Sequence, residues 1–339
     1  MTDPNQQLFP RVRLHIVTGK GGTGKTTVAA ALAMALAAGG RRTLLLEVEG
    51  RQGISQLFDT PPLPYEERRV AVAPDGGDVH ALAVDAEAAL LEYLEMFYNL
   101  RRAGGALKRI GAMDFATTIA PGLRDVLLTG KATEAAKRAK NGRLVFDAIV
   151  MDAPPTGRIA RFLNVNSEVA GLARIGPIHS QANSVMGVIR SPGTAVHLVT
   201  LLEEMPVQET LDGIAELESA DLPVGSIIVN QERPTILTDE QREQALAGTL
   251  DRSALATALN AADVVSPLRP PPVQDVVTAL MAEAREHAAR LALADQERAR
   301  LVEANRPMLS LPHLSGGMDL GGLYELAARL REQGLGVAA

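Results

Sequence analysis

Ten consecutive residues hold the most legible chemistry in this 339-residue chain: Thr18-Gly19-Lys20-Gly21-Gly22-Thr23-Gly24-Lys25-Thr26-Thr27. Gly19, Gly24, Lys25 and Thr26 occupy the fixed positions of the phosphate-binding pattern G-x-x-x-x-G-K-[ST]. Small residues let successive backbone N–H groups curl round phosphate oxygens, and the helix that follows aims its positive end at the same anion. Lys25 is suited to neutralising the outer phosphates, and the Thr26 hydroxyl to holding Mg²⁺. Lys20, directly after the first glycine, is an extra cation in that stretch. Carboxylates follow at two places. Asp152 ends the apolar run from Leu144, where a carboxylate can support Mg²⁺ through a water. Glu47 and Glu49 close another apolar run two residues apart, and they share a face if that strand continues through both. The segment Asp152-Ala153-Pro154-Pro155-Thr156-Gly157-Arg158 is a loop where a γ-phosphate could be sensed by backbone and hydroxyl groups. Asn230 ends the apolar run Gly225 to Val229; its amide can read a base edge, although a turn-favouring Asn is equally ordinary there.

The elements needed to hold these groups are written around them. Val12 to Thr18 reads as a buried strand, and Thr26 to Ala38 as its helix, stopped by Gly39-Gly40. Thr43 to Val48 reads as the next strand. A strand–loop–helix–strand unit makes the sheet parallel and the crossover right-handed. Further strands are predicted at Val79 to Val84, Leu144 to Asp152, Ala195 to Thr200, Gly225 to Val229 and Leu309 to Leu311. Helical patterns cover Asp85 to Arg102, Thr129 to Lys140, Gln208 to Ser219, Asp239 to Ala262, Val273 to Asn305 and Asp319 to Gln333. Asn141-Gly142 marks a turn and Pro267 to Pro272 a break. Residues 160 to 193 read as amphipathic and irregular, since Gly171, Gly176-Pro177, Gly187 and Pro192-Gly193 break any long helix. The stripe Ala86, Leu90, Tyr93, Leu94, Phe97 is either core packing or an apolar groove for a client helix. Leu320, Leu323, Leu326 and Leu330 give the last helix one apolar side that packs on the sheet. The fold class is α/β: a mostly parallel central sheet flanked by helices, with an inserted helical subdomain from about 85–140 and 160–194. Residues 11–339 form one domain behind a flexible stretch at 1–10.

Composition removes other chemistries. Apolar residues make up 46% of the chain but aromatics only 3%, as in cores built from parallel sheets and alanine-rich helices. The absence of cysteine excludes disulfides, thiolate zinc sites and iron–sulfur clusters. Six histidines, at 15, 80, 179, 197, 287 and 313, form no metal-ligand pair at helical spacing. A net charge of −6 argues against a nucleic-acid partner. The polar first ten residues lack the apolar run of a secretory signal, and Val28 to Ala38 is too short to span a bilayer, so a cytoplasmic location is expected.

These motifs together resemble a family: the arsenite-pump ATPases and the ATPases that target tail-anchored membrane proteins, which are dimeric P-loop ATPases with a deviant Walker motif. Gly19 to Thr27 carries that family's signature lysine at Lys20. Leu44 to Phe58 aligns without gaps to its second-strand motif. Asp152 to Leu163 is similar to its D-T-A-P-T-G-H-x-L-R-F-L stretch, and Ala120 to Asp125 to the start of one of its helices. Ser226 to Gln231 resembles the strand whose Asn contacts adenine, and Leu311 to Leu314 its C-terminal adenine loop. The likeness runs from about residue 12 to 333 and is strongest to an actinobacterial anion-transporter branch.

The resemblance implies a reaction and roles. ATP and Mg²⁺ are the expected ligands, with Gly19 and Gly21, Gly22, Thr23, Gly24, Lys25, Thr26 and Thr27 on the phosphates. Thr26 would ligate Mg²⁺ and Asp152 support it through water. Asn230, Pro312 and His313 would hold adenine. Lys20 would reach the nucleotide of a second subunit and stabilise transition-state charge. Glu49 stands where the family has the aspartate that polarises the attacking water. Its extra methylene moves the carboxylate by on the order of 1 Å, a shift able to cost about 100-fold in rate. The chain is therefore expected to be a slow ATPase that couples nucleotide to a protein or membrane-protein client, or a weakly or non-hydrolysing subunit. The dimer would be with itself or with a paralogue, without zinc, because the family's interface cysteines are missing. The stretch between Leu163 and Ala195 is short and poor in methionine and aromatics for a large client groove. Lack of a basic C-terminal helix argues against a membrane- or DNA-positioning relative.

Overall fold

The computed structural model describes residues 7–98, 122–172, 177–262 and 272–336. Strand β1 (Leu14–Gly19) leads through the glycine loop into α1 (Lys25–Ala37), and β2 (Arg42–Glu47) into the short α2 (Gly53–Leu57). Next come β3 (Arg68–Val72), β4 (Asp78–Ala83), α3 (Ala86–Tyr98) and α4 (Leu123–Lys137). A two-residue-per-arm hairpin, β5 (Ala139–Lys140) and β6 (Arg143–Leu144), turns at Asn141-Gly142 before β7 (Ala148–Asp152). The chain continues with α5 (Thr156–Leu172), α6 (Pro177–Ile189), β8 (Thr194–Thr200), α7 (Glu204–Ser219) and β9 (Val224–Glu232). Three more helices, α8 (Asp239–Ala247), α9 (Arg252–Ala261) and α10 (Val273–Val302), precede β10 (Met308–Pro312) and α11 (Leu320–Glu332).

Eight strands form one sheet in the order β10-β9-β8-β1-β7-β2-β4-β3. Every pairing is parallel except β3 against β4 at the edge. The central strands are apolar on both faces because helices cover both. Leu14, Ile16, Leu44, Leu46, Ile149 and Met151 point to one layer, with α4, α5, α6 and α7. Their neighbours Val17, Leu45, Ala148 and Val150 point to the other, with α1 and α11. That alternation is the period of two expected of strands. Helix α1 is buried nearly all round: from Val28 to Ala37 no side chain exceeds 6% exposure. Its alanines let it sit close to the sheet on one side and to α11 on the other, where Leu323, Leu326, Ala327 and Leu330 are buried. Leu320, placed with them by periodicity, is instead 41% exposed at the helix start.

Several sequence expectations change. Residues 160–172 and 177–189 are helical, not irregular; Gly171 lies in α5 and Gly187 inside α6, while Pro192-Gly193 does fall in a turn. A mid-helix glycine costs only about 1 kcal/mol. Burial of Ile159, Phe162, Leu163, Val185, Met186 and Ile189 in the shared core outweighs it. The strand predicted from Leu144 begins at Ala148; Leu144 itself closes the hairpin. The helical run from Asp239 splits in two: Gly248 takes φ +72, and Asp251 then caps α9 by accepting from the N–H groups of Ser253 and Ala254. Edge strand β3 was not foreseen. The predictions for residues 99–121 and 263–271, including Gly104-Gly105, Ala120-Pro121 and most of the proline-rich break, lie outside the described residues, as do residues 1–6 and Gly176. Residues 7–9 are tied down: Leu8 N donates to Gly334 O at 2.7 Å, Gln7 Nε2 donates to Gly336 O at 2.9 Å, and Phe9 packs edge-on against His197. Among the described residues no helix is long and apolar enough to cross a membrane.

Candidate functional site

In a parallel sheet the loops after the strands gather at one end, and here those after β1, β2, β7 and β9 do so. The loop after β1 is shaped by its glycines. A Cβ on Gly19 would lie 2.3 Å from Val199 O, so the chain passes β8 more closely than any side chain permits. Gly22 and Gly24 take φ +91 and +81, the left-handed region that glycine enters freely. The Thr23 hydroxyl donates to Lys20 O at 2.8 Å and draws the loop into a ring. Gly24 then caps α1, leaving the N–H groups of Gly21, Gly22, Gly24, Lys25, Thr26 and Thr27 with no acceptor among the described residues. Free amides converging at a helix start form an anion-binding nest.

Four of the predicted residues meet beside that nest. Lys25 Nζ lies 3.2 Å from Glu49 Oε2 and 3.6 Å from Asp152 Oδ1. The Thr26 hydroxyl donates to Asp152 Oδ2 at 2.7 Å. The side chains of Lys25, Glu49 and Asp152 are 9%, 14% and 7% exposed, so water screens the cluster weakly. Burial pushes the Asp152 carboxyl above the usual carboxylate range, opposed by Lys25 and by the Thr26 hydrogen bond. Asp152 Oδ1 is buried without a hydrogen-bond partner. A hard cation wants oxygen donors, and a buried carboxylate oxygen beside a hydroxyl provides them, so these residues fit Mg²⁺.

The strand does not continue through Glu49, which was the condition for Glu47 and Glu49 to share a face. β2 ends at Glu47, whose carboxylate turns back to accept from the N–H groups of Gln52 and Ile54. Gln52 is left-handed at φ +56, and this turn swings Glu49 round to Lys25. Arg51 adds a longer contact to Glu49 at 3.7 Å. Lys20 is apart from the cluster: its Nζ lies 2.8 Å from Glu209 Oε1 on α7. The loop after β7 is tied to β1, where the Thr18 hydroxyl donates to Pro154 O at 2.7 Å.

Asn230 lies within β9 rather than at its end and is buried. Its Nδ2 donates to Thr23 O at 2.8 Å, linking β9 to the glycine loop, while Oδ1 stays available. Pro312 pairs with Glu232 across β10 and β9, and His313 N donates to Glu232 O. Asn230 and His313 line one cavity of about 360 Å³ with Leu201, Glu232 and Arg298, a volume in the range of small-molecule sites. Sequence reasoning missed the roles of Glu47 and Glu209. A glutamate buried at a strand end was a signal for the first; the second is 189 residues from its partner and carried none.

Comparisons with known proteins bear on this site. Residues 12–192 match the profile of the anion-transporting ATPase family. The chain is 54% identical over 325 residues to the ATPase BagA of Mycobacterium tuberculosis, covering 96% of this chain and 94% of that one. It is 27% identical over 248 residues to the ATPase get3 of Schizosaccharomyces pombe, covering 63% of this chain and 72% of the other. With the ATPase GET3 of Candida glabrata the identity is 28% over 254 residues, covering 63% and 71%.

Proposed function

The chain belongs to the anion-transporting ATPase family, and from that premise we propose that it is a dimeric ATP-driven switch coupled to a protein or membrane-protein client. The observation that carries this reading is the cluster of Lys25, Thr26, Glu49 and Asp152 beside a nest of free amides. Phosphate oxygens accept from the amides of Gly21, Gly22 and Gly24 to Thr27, and Lys25 moves from Glu49 to the outer phosphates. Thr26 and Asp152 would hold Mg²⁺, which when bound supplies positive charge at the reacting phosphate oxygens. Glu49, relieved of Lys25, is the carboxylate that orients and deprotonates the attacking water. Asn230 Oδ1 accepts from the exocyclic amine of adenine, with His313 on the same cavity wall. Lys20 completes the site of a second subunit, either a copy of this chain or a paralogue. Residues 11–339 work as one ATPase domain. Helices α3 to α6, within the subdomain of about 85–140 and 160–194, pack on one another and convey the nucleotide state to the client.

ATP binding and hydrolysis, measured for the chain alone and with its paralogue, test this. Lys25→Ala is expected to abolish both with the fold intact. A wild-type chain that binds no nucleotide in any combination overturns the proposal. A second reading is a weakly or non-hydrolysing subunit that completes its partner's site. It is favoured by Glu49, which carries an extra methylene and is engaged by Lys25 and Arg51. In a mixed dimer, turnover that survives Glu49→Gln but not Lys20→Ala selects it.

A further inference from the structure

The signature lysine is held by its own subunit. Lys20 Nζ meets Glu209 Oε1 at 2.8 Å, and the other oxygen of that carboxylate accepts from the Thr156 hydroxyl at 3.4 Å. Three elements thus meet at one side chain: the phosphate loop, α7, and the first residue of α5 after the Asp152 loop. The placement is fixed by packing. Gly213, one turn along α7 from Glu209, lies against Thr156; a Cβ there would come 3.3 Å from Thr156 Cγ2. Thr156 is buried, while Lys20 and Glu209 are 29% and 36% exposed, so the pair can open. No other acidic group pairs with Lys20, and no other base with Glu209, among the described residues.

We infer that Glu209 is a positioning residue that latches Lys20 within its own subunit until a second subunit closes on the site. This rests on the reading of Lys20 given above. Closing requires the ammonium to leave Glu209, and the same carboxylate's bond to Thr156 makes the latch sensitive to the loop that follows Asp152. The physical basis is a half-exposed ion pair, whose weakness suits a release step: its loss changes an equilibrium by about two- to five-fold.

The test reads Lys20 directly in the nucleotide-free chain. Competitive acetylation followed by mass spectrometry gives the rate at Lys20 relative to the exposed, unpaired Lys140. Glu209→Gln is expected to raise that ratio about two- to five-fold, and Glu209→Asp, which keeps the carboxylate, to restore part of the protection. In turnover, Glu209→Gln lowers the protein concentration giving half-maximal rate by the same factor without changing kcat, and Glu209→Asp restores part of the wild-type dependence. An unchanged acetylation ratio in Glu209→Gln, or an unchanged concentration dependence of its turnover, overturns the latch. ATP binding, measured in parallel by calorimetry, keeps the two claims apart. Its absence from the wild-type chain sinks the ATPase reading, whereas binding with unchanged acetylation sinks the latch alone.

Discussion

Glu49→Gln is expected to tighten ATP binding while slowing turnover. Lys25 Nζ is 3.2 Å from Glu49 Oε2, and the two side chains are 9% and 14% exposed. A hydrogen bond between charged groups contributes about 1.5–3 kcal/mol, and phosphate must break this one before it can claim Lys25. Asp152 holds the same ammonium at 3.6 Å and remains in the variant, so the lower end of that range applies. A gain of about 1.4 kcal/mol is a ten-fold tighter Kd. Removing a carboxylate beside the triphosphate works in the same direction. The glutamine amide keeps the side chain's shape but accepts no proton from water, so hydrolysis falls by about 100-fold. Calorimetric titration of wild type and variant with a slowly hydrolysed ATP analogue and Mg²⁺ measures the first effect; a single-turnover assay measures the second. Raising the salt should leave most of the affinity difference in place, because the pair is poorly exposed. Equal or weaker binding by Glu49→Gln would refute the claim that this carboxylate competes with phosphate for Lys25.

Three further outcomes are expected. Gly19→Ala forces a Cβ onto Val199 O at 2.3 Å, and since that neighbour is sheet backbone the variant should lose about 2–4 kcal/mol of stability in urea unfolding and bind ATP poorly. Asn230→Ala removes the donor to the buried Thr23 O, so ATP affinity should fall about ten-fold by titration, with the fold kept by circular dichroism. The buried rings of His15 and His197 stack with His15 Nδ1 3.0 Å from His197 Nε2, and burial lowers His15 to about 4 and His197 well below the ordinary range. The folded chain therefore binds fewer protons than the unfolded one, so stability is complete above pH 6.5 and declines as pH falls from there toward 4. His15 alone should cost about 3 kcal/mol by pH 4, read from urea unfolding across that range; a flat profile would refute the account.

Much of the fold was legible because two short-range rules governed it. Strands buried between helices had to be apolar on both faces, so β1, β2, β7, β8 and β9 stood out as runs. The phosphate loop was legible because its glycine positions are demanded by local backbone conformation, as Gly22 and Gly24 show. The helices at 160–172 and 177–189 were misread because glycine was given its local cost without the burial that overrides it. β3 was missed because an edge strand with arginines at its start has no buried face to impose a pattern.

The order of residues by itself determined the family, the parallel sheet and the phosphate loop, since each depends on groups within a few positions of one another. What only tertiary structure decided is which charge faces which. β2 stops at Glu47 because the N–H groups of Gln52 and Ile54 take its carboxylate, and that turn, not the strand's period, brings Glu49 to Lys25. Lys20 meets Glu209 because α7 packs against Thr156 from 53 residues away along the chain. Electrostatic pairing depends on distance in space, and in a doubly covered sheet that distance is set by crossovers whose ends no local pattern records.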